Sequence, residues 1–219
     1  MKNNVAKYIN EWLLEEEKRI TNNIFVSISL ANITLIIPPG IFLPSPEITH
    51  STPLLLKSIQ GLNFYNKRIL DLGTGSGFFA IYSSLKGAIS VVATDTKENI
   101  LSQASHNATI NNVNNIEFIK SNVFDNIKGE YDYIFANGPI STEAWPKYKT
   151  DGHSIESYGG ALLSQYRKHL KPDGLMFMTF AEFGPVGEFY KTLKKNRVKY
   201  SEHREEKFGI WWGFYQIYR

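Results

Sequence analysis

The chain has 219 residues, 42% of them hydrophobic and 21% charged, with no cysteine and a formal net charge of +3. This suits a globule with one sizeable core and excludes a disulfide scaffold, a thiolate nucleophile, a cysteine metal site and a disordered chain. No apolar run is long enough to span a bilayer, Met1 to Asn4 carry no signal-peptide pattern, and +3 is too small a charge to argue for nucleic acid by itself. A cytoplasmic protein without membrane or metal is the expectation.

Residues Val5 to Ile20 read as an amphipathic helix with Val5, Ile9, Trp12, Leu13 and Ile20 toward one side, and Glu15 to Arg19 as a solvated stretch. Two β-rich runs, Ile24 to Leu30 and Ile33 to Ile37, join at Ala31-Asn32 and close on Pro38-Pro39-Gly40, the pattern of a hairpin. The prolines of Ile41-Phe42-Leu43-Pro44-Ser45-Pro46-Glu47 favour extended geometry, and a short helix follows to Ile59 with Pro53 in its first turn. Strands and helices then alternate: strand 69–72, helix 77–86, strand 89–94, helix 97–111, strand 116–120, strand 131–136, helix 155–170, strand 174–180, helix 185–196, and strands near 198–204 and 210–218. Alternation of this kind predicts an α/β fold: a seven-stranded, mainly parallel sheet with right-handed crossovers. The last two strands have no helix between them and predict an antiparallel C-terminal hairpin. Without an internal repeat or linker, residues 1–50 are expected to be an extension and 51–219 the single domain.

The most informative stretch is Ile69-Leu70-Asp71-Leu72-Gly73-Thr74-Gly75-Ser76-Gly77. A buried strand runs into a glycine turn that opens a helix, and glycine's missing Cβ lets a ligand lie against the backbone at a helix N-terminus. A dinucleotide fingerprint would want its third glycine one residue later, at Phe78. Asp71 in front of the turn suits a ligand with a positive amino group better than a pyrophosphate. Asp95, beside Thr96, ends the second strand about 20 residues on, where a carboxylate accepts from both ribose hydroxyls. Together these features point to S-adenosylmethionine: Asp71, Gly73, Thr74, Gly75 and Gly77 for its methionine end, Asp95 and Thr96 for the ribose. After the third strand, Asn122 offers an amide oxygen to the adenine amino group and Val123 its N–H and an apolar surface; Asn122 as a plain turn residue is the alternative.

The fourth strand runs into Phe135-Ala136-Asn137-Gly138-Pro139-Ile140, and here the chain resembles the class I S-adenosylmethionine-dependent methyltransferases. Within them it is similar to the small-domain group that includes protein-glutamine N-methyltransferases of the release-factor type and adenine N-methyltransferases. The resemblance covers roughly residues 40–182 and rests on the glycine motif, on Thr94-Asp95 followed by Ala104-x-x-Asn107-Ala108, on the Asn137 motif and on Leu170-Lys171-Pro172-Asp173-Gly174-Leu175. Phe42 to Glu47 also resembles that group's proline-rich segment. The resemblance implies a Rossmann-like sheet, and implies that the Asn137 side-chain oxygen and the Gly138 carbonyl accept from an acceptor NH₂ and aim its lone pair at the methyl group. Positioning then supplies most of the catalysis.

The group's motif is Asn-Pro-Pro-Tyr; here Gly138 replaces the first proline and Ile140 the aromatic that would stack on a flat acceptor. The candidate catalytic residues are thus Asn137, Gly138 and Pro139, with Glu47, Ile140 and Trp145 toward the acceptor. Asp151 and His153 offer a proton acceptor or a polar loop. Trp145, Pro146, Tyr148 and Tyr158 offer a pocket wall or loop packing. None of the five histidines has metal-ligand spacing, and Trp211, Trp212, Phe214, Tyr215 and Tyr218 read as sheet core. The reading is N-methylation of a planar or amine nitrogen on a protein side chain or nucleobase, the acceptor itself unidentified. The alternatives are a small-molecule methyltransferase and a non-catalytic, cofactor-binding regulator.

Overall fold

A computed structural model describes residues 2–138 and 155–219. Helix α1 (Lys2–Thr21) leads into a two-stranded hairpin, β1 (Val26–Leu30) and β2 (Ile33–Ile37). Ala31 and Asn32 both take positive φ, +51° and +63°, the backbone that a two-residue turn between twisted strands requires. Helix α2 (Ser51–Ile59) follows, and then the alternation: β3 (Arg68–Leu72), α3 (Phe78–Leu85), β4 (Ser90–Asp95), α4 (Glu98–Ile110), β5 (Ile116–Lys120), β6 (Tyr131–Ala136), α5 (Ile155–Gln165), β7 (Leu170–Ala181), α6 (Val186–Lys195), β8 (Lys199–Lys207) and β9 (Ile210–Tyr218).

The seven strands of the main sheet lie in the order β5-β4-β3-β6-β7-β9-β8. β5, β4, β3, β6 and β7 are parallel, and β9 and β8 add the antiparallel edge. From β3 the chain proceeds outward to β4 and β5, then returns to the far side of β3 as β6. That reversal opens a crevice at the carboxyl ends of β3 and β6, where ligands of open α/β sheets bind. Asp71 is level with Ala93 of β4 and Phe135 of β6, so the ends of three strands converge there.

Side chains alternate across the sheet. Ile69, Phe135, Phe177, Trp212 and Phe214 pack on one face with α2, α3 and the hairpin, while Leu70, Leu72, Ile134, Met176, Tyr215 and Ile217 pack on the other with α5 and α6. Trp212, Phe214 and Tyr215 of β9 are therefore sheet core, as their alternation suggests, whereas Trp211 is half-buried and Tyr218 exposed. The hairpin's exposed edge is closed by two asparagines one helical turn apart, Asn107 on α4 and Asn111 at its C-terminal cap. Asn107 accepts from Ile36 N–H at 3.0 Å and donates to Ile36 C=O at 3.2 Å, and Asn111 exchanges the same pair with Thr34 at 3.0 and 2.7 Å. The side chains replace a missing strand partner.

Two expectations are corrected. The helix expected over 155–170 stops at Gln165; a single 3-10 turn, Tyr166–Lys168, intervenes and β7 begins at Leu170. The Tyr131 N–H donates to His169 C=O at 2.9 Å, which starts the sheet early, and the register then slips from Tyr131↔Leu170 to Tyr133↔Leu175. Gly174 sits in that slip, where a Cβ would be 2.9 Å from the Tyr131 carbonyl oxygen. The acidic-basic stretch of α1 is not uniformly solvated either: Glu16 and Arg19 are buried and paired. Arg19 donates to the carbonyls of Ile37 and Pro38, at 3.2 and 2.9 Å, while Glu16 accepts from Gly40 N–H at 2.8 Å. The pair clasps α1 to the end of the hairpin.

Candidate functional site

The turn after β3 is built on positive φ at Gly73, Gly75 and Gly77 (+68°, +52° and +86°). Thr74 N–H donates to Thr94 C=O at 2.7 Å, tying the turn to β4. Asp71 is buried beneath it, accepting from the Thr74 hydroxyl at 2.7 Å and from Ala80 N–H, in the first turn of α3, at 3.2 Å. A carboxylate at a helix N-terminus satisfies an N–H that has no intrahelical partner. Even so, burial pushes the Asp71 carboxyl up to about 7, and the nearby charge of Asp95 adds to the rise.

Asp95 sits at the end of β4 and accepts from Gly75 N–H at 3.3 Å, Thr96 N–H at 2.8 Å and Lys97 N–H at 3.4 Å. Burial raises its carboxyl above the usual range against those bonds. Two acids close together at the ends of neighbouring strands favour a cationic ligand.

Beyond β5, Ser121 N–H donates to Asp95 C=O at 2.9 Å, and the Ser121 hydroxyl donates to Val123 C=O at 3.1 Å. This holds Val123 at φ +50°, a conformation that a β-branched residue rarely adopts and one that clusters at ligand sites. Asn137 ends β6. Its amide nitrogen donates to Thr52 Oγ1 of α2 at 3.1 Å, and its oxygen accepts from the Thr179 hydroxyl of β7.

These residues share one cavity of about 330 Å³. Asp71, Gly73, Thr74, Gly75, Asp95, Thr96, Asn122, Val123, Asn137 and Gly138 all line it. Its other end is walled by Tyr8 and Trp12 of α1 with Phe42, Phe183 and Trp212. Tyr8 lies 6.0 Å from the Phe183 ring and edge-on to Trp212 at 5.9 Å, a continuous aromatic surface. The sequence reading missed Tyr8, Thr52, Phe183 and Thr179. All four lie outside the glycine-motif elements, and nothing local marks any of them.

Two candidates do not line the cavity. Gly77 caps α3 and faces α4, where a Cβ would stand 3.2 Å from Ala104 Cβ, so it serves helix packing. Glu47 is exposed and accepts from the Ser45 hydroxyl, because the turn that brings Thr49 N–H onto Ser45 C=O at 2.9 Å directs residue 47 outward. Beside Asp71 and Asp95, the further carboxylate that lines the cavity is Glu16. Pro139, Ile140, Trp145, Pro146, Tyr148, Asp151 and His153 lie outside the described residues. Among the described residues no cluster of acidic and histidine side chains would hold a metal, and no helix is long and apolar enough to cross a membrane. A bare glycine backbone with a buried acid beneath it and a half-buried one at the neighbouring strand end fits a nucleoside ligand carrying positive charge.

Asp71 gives a pH signature. Because its folded value lies above that of the unfolded chain, its contribution to stability is complete below about pH 4 and is lost as pH rises through about 7. Asp71→Asn removes that loss. The melting temperature of the variant relative to the parent should rise by about 3 °C or more between pH 4.5 and pH 8 in scanning calorimetry. A pH-independent difference would mean that Asp71 ionises freely.

The family description "methyltransferase small domain" matches residues 32–210. The ribosomal protein L11 methyltransferase of Lactobacillus gasseri is 38% identical over 165 residues, 74% of this chain and 46% of that protein. The crystal structure of ribosomal protein L11 methylase from Lactobacillus delbrueckii subsp. bulgaricus superposes with a TM-score of 0.63 at 24% identity, covering 78% of this chain and 79% of that one. The 16S rRNA N2 G1207 methyltransferase of T. thermophilus, solved with AdoMet and guanosine, gives 0.66 at 18% identity, over 90% of this chain and 50% of that one. The chain spans about half the length of the curated relatives it matches.

Proposed function

Since the chain belongs to the methyltransferase small domain family, and solved structures of like fold hold SAH or AdoMet, we propose that it uses S-adenosylmethionine to methylate a planar or amine nitrogen on a protein side chain or nucleobase. The observation that carries this reading is convergence: the glycine turn, Asp95 and Asn137 come from three strands and face one cavity at the point where the strand order reverses. S-adenosylmethionine, when bound, would supply a sulfonium methyl: the acceptor nitrogen would form the N–CH₃ bond as the S–CH₃ bond breaks, S-adenosylhomocysteine would leave, and the nitrogen's proton would pass to solvent. The backbone at Gly73 and Gly75 holds the methionine end, Asp95 the ribose hydroxyls, and Asn122 with Val123 the adenine. Thr52 and Thr179 clamp the Asn137 amide, leaving its oxygen a second lone pair for an acceptor N–H. Gly138 continues that edge; Pro139, Ile140 and Trp145 belong to the same reading through the resemblance alone. A cytoplasmic location and a division at residue 50 belong to the same reading.

The test is transfer of labelled methyl from S-adenosylmethionine into cell extract, separated into protein, RNA and small-molecule fractions. Label in protein or RNA is expected. Tight binding of S-adenosylhomocysteine without label in any fraction would point to a regulator instead. A second reading, a small-molecule acceptor, draws on the aromatic end of the cavity, whose walls Tyr8, Trp12 and Phe183 suit an apolar guest. Salt separates it from the nucleic-acid case: affinity for a polyanionic acceptor falls steeply with salt, whereas that for a neutral molecule does not.

Asp95→Ala should weaken S-adenosylhomocysteine binding by about 1.5–3 kcal/mol, the range for hydrogen bonds to a charged group. Titration calorimetry showing a loss below about 0.5 kcal/mol would remove Asp95 from the ribose site.

A further inference from the structure

Gly138 stands where the related motif has proline, and a Cβ at this position would lie 2.6 Å from Cζ and 2.7 Å from the hydroxyl oxygen of Tyr158. Glycine is therefore what admits the ring. Tyr158 comes from α5 and lines the cavity, and its hydroxyl is buried without a hydrogen-bond partner. A buried donor without a partner destabilises the fold, so a ligand that accepts from it recovers that loss.

The hydroxyl's place narrows the ligand. Gly138 Cα is 3.9 Å from where Gly73 would carry a Cβ, so the phenol stands over the glycine turn. Burial, with Asp71 and Asp95 nearby, holds its proton far above the ordinary phenol range, and the group is a neutral donor at any working pH. Two neighbouring donors are engaged: the Thr74 hydroxyl donates to Asp71 and the Asn137 amide nitrogen to Thr52. A methionine moiety lying here carries an ammonium, which the two carboxylates favour, and a carboxylate, which needs a donor.

We propose that the Tyr158 hydroxyl donates a hydrogen bond to the methionine carboxylate of S-adenosylmethionine, and that glycine at 138 is the condition for its being there. The inference rests on the cofactor reading above and adds a ligand from α5 outside the glycine motif.

The test uses the full chain and two probes: S-adenosylhomocysteine, which has the carboxylate, and 5′-methylthioadenosine, which keeps the nucleoside and thioether but lacks the amino-acid end. By calorimetry, Tyr158→Phe should weaken S-adenosylhomocysteine binding by about 10-fold or more and leave methylthioadenosine within about 2-fold. The same variant, relieved of an unpartnered hydroxyl, should melt no lower than the parent without ligand. Unchanged binding of S-adenosylhomocysteine, or equal losses for both probes, would overturn the assignment. A parent protein that binds neither probe would instead overturn the cofactor reading. Gly138→Ala should reproduce the selective loss by displacing the ring, and should add less than about 2-fold in a Tyr158→Ala background. Additive losses would overturn the pairing of the two residues.

Discussion

Asn137→Ala should lower methyl transfer at saturating cofactor by about 100-fold or more, the scale for removing one preorganised hydrogen-bonding group at a reacting centre. The expectation follows from how the amide is held. Thr52 comes from α2, Thr179 from β7 and Asn137 from the end of β6, so three elements fix one side chain and its free lone pair has a defined direction. Alanine removes the acceptor and leaves two hydroxyls to find water, a stability cost of about 1–2 kcal/mol that does not unfold a domain of this size. The measurement is the initial rate of label transfer into whichever extract fraction the parent protein labels. Thr52→Val provides a second test, since it keeps the amide but loosens it and should cost less than the alanine. Unchanged turnover in Asn137→Ala would take this residue out of the mechanism.

Asn107→Ala should cost about 2–4 kcal/mol of folding stability, read as a lowered denaturant midpoint with an unchanged slope. Asn107 is fully buried. It accepts from Ile36 N–H at 3.0 Å, and its amide nitrogen donates to Ile36 C=O at 3.2 Å and to Ser76 C=O at 2.9 Å. Truncation leaves the Ile36 N–H and the Ser76 carbonyl desolvated and unpaired, the costly case for a hydrogen bond, while the Ile36 carbonyl keeps the bond from Gln103 Nε2 at 2.9 Å. The bond to Ser76 also joins the hairpin to the glycine turn, so the variant should weaken S-adenosylhomocysteine binding in parallel. Asn111→Ala, at the exposed end of the same clasp, should cost less than half as much. A loss below about 1 kcal/mol for Asn107→Ala would show that water or α4 replaces the asparagine without difficulty.

How much of this was legible in the chain depends on the range of the interactions. Alternating apolar runs predicted the seven strands of the main sheet and its antiparallel edge, because strand and helix periods differ and each element's buried face is written into its own residues. The glycine turn was legible because positive φ leaves a local mark, and Asp95 because its distance from the turn is set by one intervening helix. The end of α5 was not legible: where β7 begins depends on its pairing with β6, across residues that sequence spacing does not connect.

By itself, then, the sequence determined the α/β alternation, the glycine turn over a buried acid and the residues that end each strand, all of them consequences of local backbone chemistry. Only the tertiary structure decided which polar groups meet. Glu47 points away while Glu16 of α1 reaches the cavity; Gly77 serves α4 rather than the cavity; Thr52 and Thr179 grip Asn137; and Tyr158 occupies the space a proline at 138 would need. The reason is that hydrogen bonds and steric contacts act over a few ångströms, whereas these partners are separated by tens of residues. Their pairing is set by how helices and strands pack on the sheet, which no short motif records.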